Sequence, residues 1–185
     1  MTHTKTLVQH VLASNAIEQI FASPGEALYD QHLRAACGVE VLACGGVLSH
    51  PLKIHEILLP DLAGYRPCPV YVGDREMPPH EVVPKLMGDW ECAYQQLFNQ
   101  LPDRSDPSRD PLAASTAMLL QSWLLCIHPF VDGNGRTARL VLNSFRRPAG
   151  LNWHIVGSLE RHEYYSRIRA FENTLFSRWY PPELW

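Results

Sequence analysis

Apolar side chains recur at three- to four-residue spacing along most of the chain, and this spacing constrains its fold more than any other feature. Such spacing is typical of helices that bury one face against a core. It predicts helices over residues 7–21, about 24–37, 52–59, 83–97, 112–127, from about 136 onwards and after Ser158. The chain is therefore predicted to be all-α.

One segment departs from this pattern. Residues 60–84 contain six of the fifteen prolines, and Tyr65 to Gly73 is rich in β-branched and aromatic residues bounded by proline and glycine. Such a composition is typical of a short exposed hairpin. We therefore expect one small β-hairpin in an otherwise helical domain.

Composition narrows the class of protein. The 185 residues predict one domain, and 46% hydrophobic content excludes general disorder. Sixteen basic and nineteen acidic residues give a net charge of −3, which argues against a large nucleic-acid surface or a membrane anchor. The five cysteines form no CxxC pair, so we expect free buried thiols in a reducing compartment. The cytoplasm is the expected location, with leaderless secretion left open.

A glycine-rich loop follows the most apolar predicted helix and opens the next one. Gly133, Asn134 and Gly135 lie at the predicted helix start, where backbone N–H groups and the helix dipole favour an anion. Arg136 and Arg139 are three residues apart, so both are expected to reach the same region. Two guanidinium groups beside free amides suit a polyphosphate.

Two further residues complete this inventory. Asp132 provides a hard oxygen ligand at the edge of the loop, suited to Mg²⁺ that is shared with phosphate oxygens. His128 provides an imidazole that can accept a proton near neutral pH. Each residue also has an ordinary structural interpretation, as a turn, a cap or a solvated charge. Their concentration within twelve residues favours a Mg²⁺-assisted polyphosphate site with a base.

The segment HPFVDGNGRTAR, residues 128–139, matches HPFx[D/E]GNGRxxR at every defined position, and the chain therefore resembles the Fic family. The likeness extends over about residues 50–178, in which residues 64–79 resemble the hairpin called the flap. Fic proteins are helical, and most transfer AMP from ATP to a Ser, Thr or Tyr hydroxyl of a protein. The resemblance implies a single Fic domain over residues 1–185.

The resemblance also implies a role for each motif residue. His128 would be the general base, Asp132 would bind Mg²⁺, and Phe130 would anchor the loop. The backbone of Gly133, Asn134 and Gly135 would hold the α-phosphate, Arg136 the β-phosphate and Arg139 the γ-phosphate. Val70, Tyr71 and Val72 of the flap would align the target protein by strand addition.

A second, shorter likeness lies near the start of the chain. Ser14 to Glu18 is similar to the [S/T]xxxE[G/N] inhibitory motif of one Fic class, carried here on a predicted inhibitory helix over residues 1–24. There the glutamate pairs with the second motif arginine, which is Arg139 here. Gln19 departs from the expected Gly or Asn. In the alternative interpretation, Asn15 caps a helix with Glu18 at its third position.

These features predict a Mg²⁺-dependent protein adenylyltransferase that is inhibited by Glu18, with ATP as substrate. Three alternatives stay open: removal of AMP from a modified protein, transfer of another phosphate-containing group, and a binding module without activity. The expected partner is a target protein, with modification of the chain itself left open, and not nucleic acid or a membrane. Relatives often dimerise, so a homodimer is also open.

Overall fold

The computed structural model describes residues 2–43, 50–157 and 160–181 of the chain. Its helices are α1 (Thr2–Ile17), α2 (Ala27–Ala43), α3 (Pro51–Leu58), α4 (Val83–Asn99), α5 (Arg109–Ile127), α6 (Asn134–Arg146), α7 (Arg161–Phe171) and α8 (Ser177–Trp179). Short 3₁₀ turns occupy Pro60–Leu62 and His80–Val82, and a π-helical stretch, Glu172–Phe176, joins α7 to α8.

The predicted hairpin is present between α3 and α4. Strands β1 (Tyr71–Val72) and β2 (Arg75–Glu76) pair antiparallel, with Tyr71 opposite Glu76. The N–H of Met77 extends the pairing by donating to the carbonyl oxygen of Val70 at 3.0 Å. The mainly helical class with one small hairpin is thus confirmed.

Helices α5 and α6 form the centre of the core and pack most extensively against each other. Leu120, Leu124, Leu140 and Phe145 are among their fully buried side chains. Helix α4 joins this pair through Trp90, whose indole N–H donates to the carbonyl oxygen of Leu120 at 2.9 Å. Because α5 and α6 are rigidly packed, the loop between them is held from both ends.

Helix α2 is tied to the far end of α6 by a partly buried charge pair. Arg147 donates two hydrogen bonds to the carboxylate of Glu40, at 2.8 and 2.7 Å. The indole of Trp153 donates to the same carboxylate at 2.6 Å. Helix α1 packs on both α2 and α6, so these contacts build the surface against which α1 rests.

The first predicted helix ends earlier than the sequence indicated. Helix α1 stops at Ile17, and Phe21 is 84% exposed beyond it. The N–H of Ile20 donates to the carbonyl oxygen of Asn15, and that of Gln19 to Ala16. This is the hydrogen-bond pattern of a Schellman motif, which ends a helix although apolar residues continue. The predicted helix over residues 1–24 was therefore too long.

The last predicted helix is only partly open to comparison. Its predicted start after Ser158 lies outside the described residues, and α7 begins at Arg161. Cys37, Cys68, Cys92 and Cys126 are free thiols, as predicted, but only Cys126 of these four is buried, and the other three are exposed. Cys44 lies outside the described residues. In the part of the chain that the structure describes, no helix is long and apolar enough to cross a membrane.

Candidate active site

His128 lies at the point where α5 ends and the loop to α6 begins. Its N–H still bonds to the carbonyl oxygen of Leu124 at 3.0 Å, but its own backbone is left-handed, with φ of +53°. A non-glycine residue adopts this conformation only when its surroundings impose it. The turn directs the chain away from the helix, and the imidazole then lines a cavity of about 360 Å³.

The imidazole of His128 is held in its neutral form. Burial, the largest effect, lowers its pKa to about 4, and the charges of Arg66 and Arg75 act in the same direction. Nδ1 lies 3.3 Å from the carbonyl oxygen of Leu125, which can only accept a hydrogen bond. The proton is therefore assigned to Nδ1, and Nε2 keeps a lone pair that can accept a proton.

The first turn of α6 forms one wall of the same cavity. The N–H groups of a helix's first turn have no acceptor within the helix, so they attract an anion. Gly133 caps the helix with φ of +75°, and a Cβ there would lie 2.6 Å from Leu59 Cδ1. Its backbone angle favours glycine, and any side chain there would also have to displace the end of Leu59.

Asn134 and Asp132 shape this turn from within the loop. The side chain of Asn134 accepts from the N–H of Phe130 at 3.0 Å and donates to its carbonyl oxygen at 2.8 Å. Asp132 Oδ1 accepts from the N–H of Gly133 at 2.6 Å, yet the Asp132 side chain remains 67% exposed. The loop is rigid, and its one carboxylate faces outward.

Arg136 lines the cavity and keeps hydrogen-bond donors that are unpaired among the described residues. Its side chain is 3% exposed, and Nη2 lies 3.4 Å from Asp132 Oδ2. Among the described residues, its buried Nε and Nη1 atoms have no hydrogen-bond partner. A buried cation with unused donors beside a helix N-terminus is a strong site for a phosphate group.

Arg139 lies behind the loop and binds α1. Its side chain is 1% exposed, and Nε donates to Ser14 Oγ at 2.8 Å. Nη2 donates to the carbonyl oxygen of Ser14 at 2.9 Å and to Glu18 Oε1 at 2.8 Å. The Ser14, Glu18 and Arg139 side chains, far apart in sequence, thus meet at one place.

The carboxylate of Glu18 reaches over the start of α6 and into the cavity. A Cβ added at Gly135 would overlap Glu18 Oε1, so the carboxylate lies directly against the first turn of α6, here called the amide turn. Glu18 thereby places its own negative charge where the turn and Arg136 favour a phosphate. The carboxylate and a bound polyphosphate would compete for the same space and the same charges.

Gln19 explains why the related motif has Gly or Asn at this position. It occupies the left-handed position of the Schellman motif, with φ of +59°. Glycine adopts this conformation without a steric penalty, and asparagine tolerates it better than most residues. Glutamine is held there by the hydrogen bonds that end α1, so the departure changes the energy of the turn and preserves its shape.

The residues at the loop fit Mg²⁺ that is shared with a substrate. Among the described residues, no group of three or more His, Cys, Asp or Glu side chains could hold a metal ion. A single exposed carboxylate, that of Asp132, suits Mg²⁺, which commonly takes one or two protein carboxylates together with phosphate oxygens and water. Asp132 would hold the ion at the mouth of the cavity.

The flap lies beside His128 across a second groove. This groove, about 610 Å³, is lined by Val72 and Arg75 of the hairpin, by His128 and by residues of α7. Tyr71 and Val72 are 62% and 43% exposed, and no strand other than β2 pairs with β1 in the described part of the chain. An exposed strand edge can pair with an extended peptide.

Two residues that support the loop were not singled out from the sequence. The ring of His55 is buried and stacks on Phe130, with centroids 3.9 Å apart, and its Nε2 lies 3.0 Å from the carbonyl oxygen of Asp132. The guanidinium of Arg66 bonds to the carbonyl oxygen of His128. The one available sequence signal for Arg66 was its position as the single cation among the apolar residues and prolines of residues 65–73.

Comparison with known proteins places the chain in a family. Residues 48–145, which include the loop, match the Fic/DOC family. A curated protein adenylyltransferase Fic from Nematostella vectensis is 36% identical over 107 residues, 56% of this chain and 22% of that protein. A protein of the same name from Drosophila grimshawi is 35% identical over 105 residues, 57% and 20% of the two chains. The chain thus spans about a fifth of these relatives.

Solved structures share the fold. A Fic domain containing signaling protein from Bacteroides thetaiotaomicron superposes with a TM-score of 0.74 at 18% identity, over 92% of this chain and 74% of that one. Fic-1 from C. elegans gives a TM-score of 0.66 at 24% identity, over 90% and 55% of the two chains. With the family match over more than half of its length, the chain belongs to the Fic/DOC family.

Proposed function

We propose that this chain is a Mg²⁺-dependent protein adenylyltransferase, which transfers AMP from ATP to a Ser, Thr or Tyr hydroxyl of a target protein. The observation that carries the proposal is the shared cavity, in which a neutral His128 faces the amide turn of α6 and Arg136. The curated relatives named protein adenylyltransferase Fic support the same reaction.

In this reaction the target hydroxyl oxygen attacks the α-phosphorus of ATP. A new phosphorus–oxygen bond forms to the target, and the bond between the α-phosphorus and its bridging oxygen breaks, so that pyrophosphate leaves. Nε2 of His128 accepts the hydroxyl proton. The neutral imidazole is ready for this step because burial keeps its pKa low.

The loop between α5 and α6 stabilises the negative charge of the phosphate groups during the transfer. The backbone of Gly133, Asn134 and Gly135 is positioned for the α-phosphate, and Arg136 for the β-phosphate. Mg²⁺ held by Asp132 would neutralise phosphate charge when bound. Because little covalent work falls to the protein, positioning and charge stabilisation account for most of the catalysis.

The resting chain is restrained by Glu18. Its carboxylate occupies the space over Gly135 and pairs with Arg139, the residue proposed to bind the γ-phosphate. ATP must displace this carboxylate to seat its phosphates fully. Loss of the Glu18 side chain is therefore expected to activate the protein.

The nature of the transferred group is tested with Glu18→Gly protein and two forms of labelled ATP. Label in the α-phosphate is expected to enter protein, on the chain itself or on a lysate protein, and label in the γ-phosphate is not. Incorporation of the γ-label would show that the protein transfers a phosphoryl group and would contradict adenylyl transfer. Absence of both labels would remove the proposed activity.

A second candidate function is the removal of AMP from a modified protein. The observation that favours it is that the carboxylate of Glu18 and the imidazole of His128 line one cavity, where a carboxylate could orient a water. A target that carries AMP, incubated without ATP, would then release AMP in a Glu18-dependent manner. Release that is unchanged in Glu18→Gly protein would exclude this role for Glu18.

A further inference from the structure

The flap contributes one buried cation whose acceptors are all carbonyl oxygens. Arg66 is 2% exposed and lies just before β1. Its Nε donates to the carbonyl oxygen of His128 at 2.8 Å, and its backbone N–H to that of Pro129 at 2.9 Å. The side chain therefore binds His128, the first residue of the loop between α5 and α6.

The other side of the guanidinium binds both ends of the hairpin. Nη1 donates to the carbonyl oxygen of Cys68 at 3.2 Å, and Nη2 donates to that of Pro78. Cys68 precedes β1 and Pro78 follows β2, so one planar group closes the base of the flap. The fixed fork of the guanidinium can serve three acceptors at once, which an ammonium group cannot do in this geometry.

The contact to His128 addresses a local conflict. The left-handed backbone of His128 removes its carbonyl oxygen from the pattern of α5, at a helix end where carbonyl groups lack intrahelical partners. Arg66 supplies a donor to that oxygen and a positive charge that is favourable at a helix C-terminus. The strained turn that aims the imidazole is thus stabilised by a residue of the flap.

We propose that Arg66 is a positioning residue, which fixes the backbone of His128 and joins it to the flap so that base and target-docking strand keep one relative geometry. This inference rests on the proposed adenylyl transfer for its kinetic consequence. Arg66 is absent from the residues that line the phosphate cavity, so it affects alignment of the hydroxyl and not nucleotide binding.

The chain provides a matched control in Arg109. Among the residues that the structure describes, the side chain of this arginine also donates only to carbonyl oxygens, those of Pro102 and Ala149, and it ties a loop to the segment after α6, away from His128. Comparing Arg66→Gln with Arg109→Gln separates loss of an arginine clamp in general from loss of this one. Both are made in the Glu18→Gly chain, and thermal unfolding confirms that each variant is folded.

The kinetic readout is the split between kcat and KM. Arg66→Gln is expected to lower kcat on the order of tenfold or more, with KM for ATP nearly unchanged, because misplacing a reacting group lowers turnover steeply. Arg109→Gln is expected to retain kcat. Equal kcat in the two variants, or a loss confined to KM for ATP, would overturn the positioning role.

A conservative variant tests the fork. Arg66→Lys keeps the charge, but its three donors sit on one nitrogen atom and cannot replace three separate nitrogens that reach three carbonyl oxygens, so we expect kcat to stay well below that of the Glu18→Gly parent. Full kcat in Arg66→Lys would overturn the proposal by reducing the role to charge. This variant also keeps the test decisive if Arg66→Gln does not fold.

Hydrogen exchange gives a readout that does not depend on activity. In Arg66→Gln or Arg66→Lys, the amides of Met77 and His128 are expected to exchange faster together, because both sides of the connection are loosened. Unchanged exchange at either amide would contradict the coupling. If Glu18→Gly protein incorporates no AMP at all, adenylyl transfer fails as a function, and the exchange experiment still decides the coupling on its own.

Discussion

Glu18 Oε1 accepts a hydrogen bond from Arg139 Nη2 at 2.8 Å, and 121 positions of sequence separate the two residues. The same carboxylate lies against Gly135 at the start of α6. Ile17, fully buried beside Val156 and Tyr164, anchors the end of α1 next to it. The end of α1 therefore presents an anion to a site built for anions, which is a simple physical basis for restraint.

Ser14 and Glu18 both accept hydrogen bonds from Arg139, so Ser14→Ala should weaken the inhibition by Glu18 in part. The change leaves the buried Nε of Arg139 without its acceptor, at a cost of about 1–3 kcal/mol. We expect a lower melting temperature and a several-fold rise in AMP incorporation, smaller than that of Glu18→Gly. Ser14→Thr retains the hydroxyl and serves as the control. Wild-type activity in Ser14→Ala would show that this contact does not contribute to inhibition.

Gln19→Gly should tighten the restraint, because glycine relieves the left-handed strain at φ of +59°. The steric gain is about 1–2 kcal/mol, reduced by the greater freedom of glycine in the unfolded chain. We expect slower basal AMP incorporation and a higher melting temperature. Gln19→Val, in which a β-branched side chain disfavours the same angle, should shift both measurements in the opposite direction. Identical activity in the two variants would dissociate this turn from regulation.

As the pH is lowered, the rate of AMP transfer should stay at its neutral-pH value until the pH is well below the usual titration range of histidine. His128 acts as a base only when it is neutral, and burial lowers its pKa from 6.5 to about 4. In Glu18→Gly protein the loss of the Glu18 charge, which raises this pKa, does not move it back toward 6.5. The acid limb of kcat/KM against pH, which reports groups of the unliganded enzyme, should lie near 4, measured where circular dichroism shows folded protein. A limb near 6.5 would contradict a buried neutral base.

Stability should fall in acid partly through His10 on α1. Burial, followed by the charge of Arg139, lowers the pKa of His10 to about 3, whereas the unfolded chain binds the proton near 6.5. The contribution of neutral His10 to the free energy of unfolding is therefore fully present above a pH of about 6.5. It is lost as the pH falls toward 3, by at most about 1.4 kcal/mol per pH unit. His10→Leu should flatten the dependence of melting temperature on pH. The exposed His162→Leu is the control, and equal slopes would exclude His10.

The start of α6 at Gly133 to Gly135 was predictable because glycine in this order marks a turn that opens a helix. Gly133 must adopt a positive φ and pack against Leu59, and a helix start after glycine gives free amides whatever the rest of the fold. The short hairpin was predictable for a similar reason, from prolines and β-branched residues within one segment.

Other features depend on contacts that local patterns do not encode. Ile20 and Phe21 continue the apolar spacing of α1, yet the helix ends at Ile17 because Gln19 turns left-handed and closes the Schellman motif. The supports supplied by His55 and Arg66 lie on segments distant from the loop. The meeting of Glu18 with Arg139 could be expected from family resemblance, whereas periodicity alone gave no indication of it.

The central claim is that this site transfers AMP and is restrained by Glu18, and the most direct test is the initial rate of AMP incorporation in four proteins. Glu18→Gly should exceed wild type by about tenfold or more, since about 1.4 kcal/mol of restraint corresponds to a factor of ten. The exposed Glu26→Gly should match wild type, and Glu18→Gly combined with His128→Ala should lose the activity. Equal rates in wild type and Glu18→Gly, or undiminished incorporation without His128, would contradict the account.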